Sequence, residues 1–220
     1  MSPKKKKKVG VLGSGVVGQT LAGGFVTHGF ETMIGSREPA RLADWAKKAG
    51  PLARSGSVEE AAGFGEIVVL AVKGTAALEV TRKAGAHALA GKTVIDATNP
   101  IADTPPDGGV LALFTKPGES LMERLQGFAP QARFVKAFSC VGNALMVNPK
   151  LRGGPPTMFI CGNDGGAKEE VAGILTLFGW ETEDMGTAQS ARAIEPLCVH
   201  WCIPGFLKND WVHAFKMLRP

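Results

Sequence analysis

A glycine-rich run near the start of the chain constrains the fold more than any other feature. Residues 9–18 read Val-Gly-Val-Leu-Gly-Ser-Gly-Val-Val-Gly, in which Gly13, Gly15 and Gly18 lie between an apolar strand pattern and a helical one. This spacing is typical of the first βαβ unit of a dinucleotide-binding fold. Gly13 would permit a tight turn, Gly15 would let a pyrophosphate approach the main chain, and Gly18 would let the helix pack on the strand. The alternative is a turn whose glycines serve packing alone.

The end of the second predicted strand indicates which dinucleotide is bound. Where an enzyme that prefers NAD carries Asp or Glu for the ribose hydroxyls, residues 35–37 read Gly-Ser-Arg. A carboxylate would repel the 2′-phosphate of NADP(H), whereas Arg37 and Ser36 can bind it through charge-assisted hydrogen bonds. Arg41, four residues further on, could flank the same phosphate. We therefore predict NADP(H), with an ordinary surface role for Arg37 as the alternative.

Apolar strand patterns and helical patterns alternate along most of the chain. Strands are predicted at 8–12, 31–35, around 52–53, and at 66–72, 93–96 and 133–138, with helices at 16–28, 40–49, from 57, at 75–89 and around 120–125. The strand at 66–72 is almost wholly apolar, as expected of a strand buried on both faces of a parallel sheet. The pattern predicts an α/β fold over residues 9–150, a doubly wound parallel sheet of the Rossmann type.

The last third of the chain, residues 151–220, predicts a small C-terminal α/β lobe. Its predicted elements are strands at 157–161 and 181–185, helices at 167–178 and 188–202, a break at Pro204-Gly205, and a segment of helical spacing at 206–218. The aromatic residues of this lobe are more numerous than packing on one sheet requires; they are Trp201, Phe206, Trp211 and Phe215. We expect a homodimer built partly on residues 188–218. The alternative is that these rings pack onto the nucleotide domain.

The excess positive charge of the chain is concentrated at its N-terminus. Lys4 to Lys8 supply five of the 25 basic residues, and the other 20 balance the 20 acidic ones. We interpret residues 1–8 as a solvated basic arm and expect no nucleic-acid partner, since such a surface would spread basic residues along a face. Neither a run of 18 uncharged apolar residues nor the apolar core of a signal peptide is present, which predicts a cytoplasmic protein with no membrane partner.

The loops after the remaining strands are expected to line the rest of the nucleotide site, because ligands of such sheets lie across the carboxyl ends of the strands. The candidate contacts are Ser14, Val16 and Val17 in the glycine turn, Ala71, Val72 and Lys73 after the fourth strand, Asn99 and Pro100 after the fifth, and Ala137 after the sixth. Asn99 could bond a ribose or the nicotinamide carboxamide. An ordinary turn at Asn99-Pro100 and a solvated loop cation at Lys73 are the alternatives.

Seven segments, taken in order, resemble one known family. They are Val-Leu-Gly-Ser-Gly-Val-Val-Gly, Ile-Gly-Ser-Arg, Val-Val-Leu-Ala-Val-Lys, Val-Ile-Asp-Ala-Thr-Asn-Pro-Ile, Val-Lys-Ala-Phe, Thr-Met-Phe-Ile-Cys-Gly-Asn-Asp and Asp-Met-Gly-Thr-Ala-Gln-Ser-Ala-Arg-Ala-Ile-Glu-Pro-Leu. The chain is similar over residues 9–218 to the NADP oxidoreductase, coenzyme F-420-dependent family. The resemblance implies a Rossmann domain before a small lobe, a homodimer, and hydride exchange between NADP(H) and an 8-hydroxy-5-deazaflavin.

The same resemblance implies which residues contact the cofactor. The positions are Ser14 to Val17, Ser36, Arg37, Arg41, Val72, Asn99 and Ala137. The chain departs from the family at Ser139, where bacterial relatives usually carry Asn after Ala-Phe. Relatives with the same nucleotide domain include the reductase domains of membrane metalloreductases.

No residue is assigned a catalytic role from the sequence. Hydride transfer between a nicotinamide and a flavin-like ring requires alignment of the two rings and exclusion of water, without a nucleophile from the protein. The four cysteines are expected to be free thiols. Cys198, His200 and Cys202 do not predict a metal site, because helical positions two residues apart do not face each other.

We therefore predict an NADP(H)-dependent oxidoreductase that transfers hydride between NADPH and a small redox acceptor, either the deazaflavin coenzyme F-420 or a flavin. One alternative is an NADPH-dependent reductase of another small acceptor, such as a free flavin or a ferric or cupric chelate. A further alternative, from another class, is a non-catalytic NADP(H)-binding sensor.

Overall fold

The computed structural model describes residues 6–220, and within them eight strands form one sheet. The strands are β1 Val9–Leu12, β2 Thr32–Gly35, β3 Ala53–Gly56, β4 Ile67–Leu70, β5 Thr93–Asp96, β6 Arg133–Lys136, β7 Thr157–Gly162 and β8 Glu181–Asp184. Their order across the sheet is β3-β2-β1-β4-β5-β6-β7-β8. The first six are parallel, β7 is antiparallel to β6, and β8 is parallel to β7. The carboxyl ends of β1 to β6 therefore lie along one edge.

Helices cover both faces of the sheet. They are α1 Val16–Thr27, α2 Ala43–Ala49, α3 Val58–Phe64, α4 Gly74–Ala84, α5 Ala86–Leu89, α6 Leu121–Phe128, α7 Gly165–Leu177, α8 Ala191–Ile194 and α9 Leu197–Lys208. One apolar core joins the sheet to α1 and α7, and a second joins it to α3, α4 and α6. The strand β4 is buried along its whole length, as a central parallel strand with helices on both faces must be.

The start of α3 shows how local sequence sets a helix boundary. The hydroxyl of Ser57 accepts a hydrogen bond from the Glu60 main-chain N–H at 3.1 Å, and the Glu60 carboxylate accepts one from the Ser57 N–H at 2.7 Å. This reciprocal capping box satisfies two N–H groups that the helix leaves without partners. Gly85 directly follows α4 and has a φ of +86°. It separates α4 from α5 and so divides the single helix that was predicted at 75–89.

The segments after residue 188 differ from the predicted pattern. The single helix predicted at 188–202 is divided at Glu195-Pro196 into α8 and α9, and the expected break at Pro204-Gly205 is wrong, because α9 continues to Lys208. Pro204 loses one helical hydrogen bond, but its fixed φ suits the helix. The helix ends instead at Asn209, whose left-handed φ of +54° lets its N–H bond the Gly205 oxygen at 2.9 Å.

The helical spacing of residues 206–218 is also misleading, since the chain after Lys208 has no regular secondary structure. Long-range hydrogen bonds compete with the helix here. The Phe215 carbonyl accepts from the Thr157 N–H at 2.9 Å, and the Thr157 hydroxyl accepts from the Met217 N–H at 3.1 Å. The terminal segment is thereby fastened to the start of β7.

Residues 151–220 supply β7 and β8, which extend the sheet beyond β6. The proposed boundary near residue 150 stays a prediction. Residues 1–5 of the predicted basic arm lie outside the described residues, while Lys7 pairs with Glu170 at 2.6 Å and Lys8 lies over the Phe64 ring. Within residues 6–220, none of the helices has both the length and the apolar character needed to span a membrane.

Candidate dinucleotide site

The glycine turn between β1 and α1 has the geometry that its spacing predicts. Gly13 has a φ of +126°, and a Cβ atom there would overlap the Ala71 carbonyl. A Cβ atom on Gly18 would overlap the Gly13 carbonyl, so α1 can pack this closely on the turn only without a side chain. A Cβ atom on Gly15 would meet nothing within 4 Å. Gly15 thus presents bare main chain to open space, which suits the approach of a pyrophosphate.

The first turn of α1 is open to an anion. Gly15 is its N-cap and offers no side-chain acceptor, and Val16 beside it is 66% exposed. The N–H groups of a first helical turn have no partner within the helix, and the helix dipole places partial positive charge there. The start of α1 can therefore bind a phosphate group.

The end of β2 lies directly beside this turn. Ser36 is buried, and its hydroxyl donates to the Ser14 hydroxyl at 3.1 Å while accepting from the Glu38 N–H at 3.1 Å. Arg37 is exposed and, with Ser36, lines a cavity of about 350 Å³ next to Gly13, Ser14 and Gly15. The predicted pair Ser36 and Arg37 therefore shares one cavity with the glycine turn.

Arg41 lies elsewhere. Its Nε is 2.9 Å from the Glu38 carboxylate, and it lines a separate depression with Trp45 and Lys48. It belongs to the short 3-10 turn Pro39–Leu42, which follows the end of β2. The structure brings Arg37 to the cavity beside Ser36 and does not bring Arg41 there.

A larger cavity of about 740 Å³ continues the groove toward β5. The two cavities share Gly15, Ala71, Val72 and Lys73 in their walls. The predicted residues Val16, Val17 and Asn99 line the larger one, together with Gly74 and Ala97 of the same loops and with Ile101, Ala102, Asp103, Thr104 and Pro105. One groove thus runs along the carboxyl edge from β2 to β5.

Asn99 lies in the wall of the larger cavity with one polar atom free. Its Nδ2 donates to the Ser139 carbonyl at 2.8 Å, whereas its Oδ1 is buried and has no hydrogen-bond partner among the described residues. An orphaned buried oxygen is costly unless a ligand or water satisfies it. Asn99 is therefore poised to accept a hydrogen bond from a bound group.

The remaining predicted residues support the groove without lining it. Pro100 is buried, and a Cβ atom on Gly74 would overlap the Asn99 carbonyl and lie 3.2 Å from the Pro100 Cα, so α4 begins directly against this loop. Ala137 is fully buried, and its N–H bonds the Asp96 carbonyl at 3.1 Å. Gly18 lies behind the turn, where it sets the packing of α1.

Lys73 closes one side of the larger cavity. Its ammonium group lies 2.6 Å from the Asp103 carboxylate, and both side chains are mostly exposed. The hydrogen bond from Lys73 lowers the pKa of Asp103 below its ordinary value. A pair so exposed holds the loop weakly, and its energy is screened by water.

Four residues in the smaller cavity were missed by the sequence analysis. Val58 is contributed by α3, and Ala76, Glu79 and Val80 by α4. Ala76 and Val80 stand four residues apart on one face of α4, directly after the predicted contact Lys73. That spacing was the available signal. Because α4 begins beside the groove, residues four apart on one side of its first turns can line the groove.

A buried charged cluster behind the groove was also missed. Lys136 Nζ lies 2.6 Å from Asp96 Oδ2 and 2.9 Å from Glu195 Oε1, and the three side chains are at most 1% exposed. Burial alone would lower the pKa of Lys136, but the two carboxylates outweigh it and the pKa is raised. The available signal was a lysine at the end of β6, in register with the aspartate that ends the neighbouring strand β5.

The four cysteines are free thiols, as expected from the sequence. Burial raises the pKa of Cys140, Cys161 and Cys198 to about 12 and also raises that of Cys202. Among residues 6–220, no group of three or more His, Cys, Asp or Glu side chains is arranged to hold a metal ion.

The profile of one protein family, described as NADP oxidoreductase coenzyme F420-dependent, matches residues 8–100. A crystal structure of a candidate F420-dependent NADP reductase from Arthrobacter sp. FB24 is 32% identical, with a TM-score of 0.89, and the alignment covers 97% of this chain and 100% of that one. The chain belongs to this NADP oxidoreductase family. The predicted family, the Rossmann-type α/β fold and the NADP-dependent oxidoreductase class are thereby confirmed.

Two curated relatives are longer proteins. Metalloreductase STEAP3 from Rattus norvegicus is 31% identical over 210 residues, which are 93% of this chain and 40% of that protein. Metalloreductase STEAP2 from Homo sapiens is 27% identical over 196 residues, which are 88% of this chain and 36% of that protein. The chain spans about two fifths of the length of these relatives.

Proposed function

We propose that this groove binds NADP(H), with the 2′-phosphate at Ser36 and Arg37 and the nicotinamide in the larger cavity beside Asn99. The observation that carries the proposal is the continuous groove, which joins Arg37 at the end of β2 to Asn99 after β5, whose buried Oδ1 has no hydrogen-bond partner among the described residues. The pyrophosphate would lie between them, on the Gly15 main chain and the start of α1. Arg37 offers the phosphate a planar, always charged donor.

The reaction that fits this arrangement is hydride transfer to or from a flavin-type ring, with the deazaflavin coenzyme F420 as the first candidate. NADP(H), when bound, supplies the hydride chemistry. The protein's task is to hold the acceptor against the nicotinamide and to exclude water. Ile101, Ala102 and Pro105 contribute apolar side chains to the wall of the larger cavity, which suits a flat ring.

The relatives named metalloreductases favour a second candidate acceptor, a ferric or cupric chelate reduced directly or through a free flavin. An assay of NADPH oxidation by absorbance separates the candidates when coenzyme F420, FMN, FAD and ferric citrate are compared side by side. We expect the highest kcat/KM with F420 or a flavin. NADPH that binds but is not oxidised with any of these acceptors would contradict the catalytic proposal and favour a sensor.

We propose in addition that the protein is a homodimer, with residues 188–218 in the interface. The exposed apolar residues of this region support the proposal: Phe206 is 43% exposed, Leu207 60% and Val212 66%. Other rings are already covered within the chain, since Trp211 packs on Gly205 and Phe206. Light scattering at micromolar concentration tests the assembly, and a monomeric mass would exclude it.

A further inference from the structure

The buried cluster of Lys136, Asp96 and Glu195 connects three distant parts of the chain. Asp96 ends β5, Lys136 ends β6, and Glu195 lies between α8 and α9. The Glu195 carboxylate accepts hydrogen bonds from the Leu121 N–H at 2.9 Å and the Met122 N–H at 3.0 Å, at the start of α6. Glu195 thereby caps one helix and pairs with Lys136 through the same group.

The cluster also binds every polar group of Thr98. Asp96 Oδ1 accepts from the Thr98 N–H at 3.0 Å and from its hydroxyl at 2.6 Å. Lys136 Nζ donates to the Thr98 carbonyl at 2.9 Å. Thr98 is 1% exposed and is the residue immediately before Asn99. Asp96 and Lys136 therefore hold the backbone of this loop at Thr98, directly before the loop reaches the cavity wall at Asn99.

Stability alone does not account for such a cluster. Desolvation of buried ions offsets much of their mutual attraction. Apolar residues of similar volume often stabilise a core at least as much as buried ions do. A charged, hydrogen-bonded network does, however, fix the orientation of the groups that it joins, because each hydrogen bond has a preferred geometry. Apolar packing does not fix these orientations.

We propose that Asp96 and Lys136 are positioning residues, which act through Thr98 to aim the free Oδ1 of Asn99 at the nicotinamide carboxamide. The inference rests on the proposed NADP(H) site. It assigns the cluster to recognition of the nicotinamide half of the dinucleotide. The adenosine half, at Ser36 and Arg37, lies at the other end of the groove and does not depend on it.

The test replaces Thr98 by Val, which removes the hydroxyl bonded to Asp96 and leaves the charged cluster intact. Titrations measure Kd for NADPH and for 2′,5′-ADP, which carries only the adenosine half. We expect Thr98→Val to raise Kd for NADPH about tenfold, since a hydrogen bond to a charged group is lost. Kd for 2′,5′-ADP should change less than about twofold, and Thr98→Ser should restore the wild-type value.

Thr93→Val is the matched control. Thr93 lies at the other end of β5, is equally buried, and its hydroxyl donates to the Glu170 carboxylate at 2.7 Å. The same chemical change far from the groove should leave both Kd values unchanged. Should Thr98→Val not fold, Thr98→Ala removes the same hydroxyl without adding a methyl group.

A double-mutant cycle with Asn99→Ala separates positioning from general support. If Thr98 acts through Asn99, Thr98→Val has no further effect on NADPH binding once Asn99 is replaced. Additive effects, equal losses for NADPH and 2′,5′-ADP, or no loss at all would overturn the proposal. Failure of the wild-type protein to bind either nucleotide would instead contradict the NADP(H) site itself.

Discussion

The hydroxyl of Ser36 donates a hydrogen bond to the hydroxyl of Ser14 across 3.1 Å. This bond joins the end of β2 to the glycine turn, and the Gly13 N–H reinforces the junction by bonding the Gly35 carbonyl at 3.1 Å. The residues proposed to bind the 2′-phosphate and the pyrophosphate therefore belong to one connected unit. The effect of a substitution at the end of β2 on binding can therefore be attributed to the 2′-phosphate, and that of a substitution in the glycine turn to the pyrophosphate.

Arg37→Asp tests the phosphate end of the groove. The substitution removes a charged donor and places a carboxylate beside the 2′-phosphate, so Kd for NADPH should rise roughly 10- to 150-fold and the preference over NADH should disappear. Calorimetric titration with both nucleotides measures this. Arg41→Asp is the matched control, because Arg41 faces a different depression and pairs with Glu38. Equal losses in the two variants would contradict the assignment.

Two glycine substitutions should separate folding from binding. Gly18→Ala forces a Cβ atom onto the Gly13 carbonyl, and we expect the free energy of unfolding to fall by about 1–3 kcal/mol or more. Gly15→Ala meets open space and has an ordinary φ of −71°, so thermal unfolding should stay close to wild type. The new methyl group should nevertheless weaken NADPH binding. Normal NADPH binding by Gly15→Ala would exclude close approach of the pyrophosphate at this residue.

The thiols should be inert in the folded protein at pH 8. A thiol of pKa about 12 is deprotonated in only about one molecule in 10,000 at that pH, and only the thiolate reacts. We expect Ellman's reagent to titrate at most Cys202 rapidly and all four cysteines after unfolding. Because these pKa values are higher in the folded state, the unfolded chain releases protons first, and stability should fall as the pH rises from about 9 toward 12. Rapid reaction of all four native thiols would contradict their burial.

Lys136→Met should be far more damaging than the loss of an exposed lysine. The substitution leaves the Asp96 and Glu195 carboxylates buried without their cation, which should cost about 3–5 kcal/mol of unfolding free energy. Lys216→Met, which removes a half-exposed partner of Glu181, should cost at most about 1 kcal/mol. Urea unfolding measures both. The pKa of Lys136 is raised above its ordinary value of 10.5, so the stabilisation from its ion pairs is lost only as the pH rises above 10.5. Equal costs for the two variants would show that the cluster contributes no more than a surface pair.

The features that the sequence predicts well are local. Gly13, Gly15 and Gly18 act within one turn, and Ser36 and Arg37 follow directly from the end of a recognisable strand. The features that it missed depend on distant contacts. Lys136, Asp96 and Glu195 come together from three parts of the chain, and the bond between Thr157 and Phe215 overrides the helical spacing of the terminal segment. Neither pairing leaves a periodic pattern, so local propensity could not reveal it.

Arg41 illustrates a different limit. Its distance from Arg37 in sequence is right for one helical face, but it lies on a 3-10 turn, pairs with Glu38 and lines a different depression. The position of a side chain near a helix start depends on the form of the first turn, which spacing alone does not specify.

The most direct test of the NADP(H) assignment is a titration of the wild-type protein with NADPH and NADH under the same conditions. The groove described above predicts that NADPH binds at least about tenfold more tightly, because Arg37 and Ser36 are proposed to bind a phosphate that NADH lacks. Equal affinities, or tighter binding of NADH, would contradict the account.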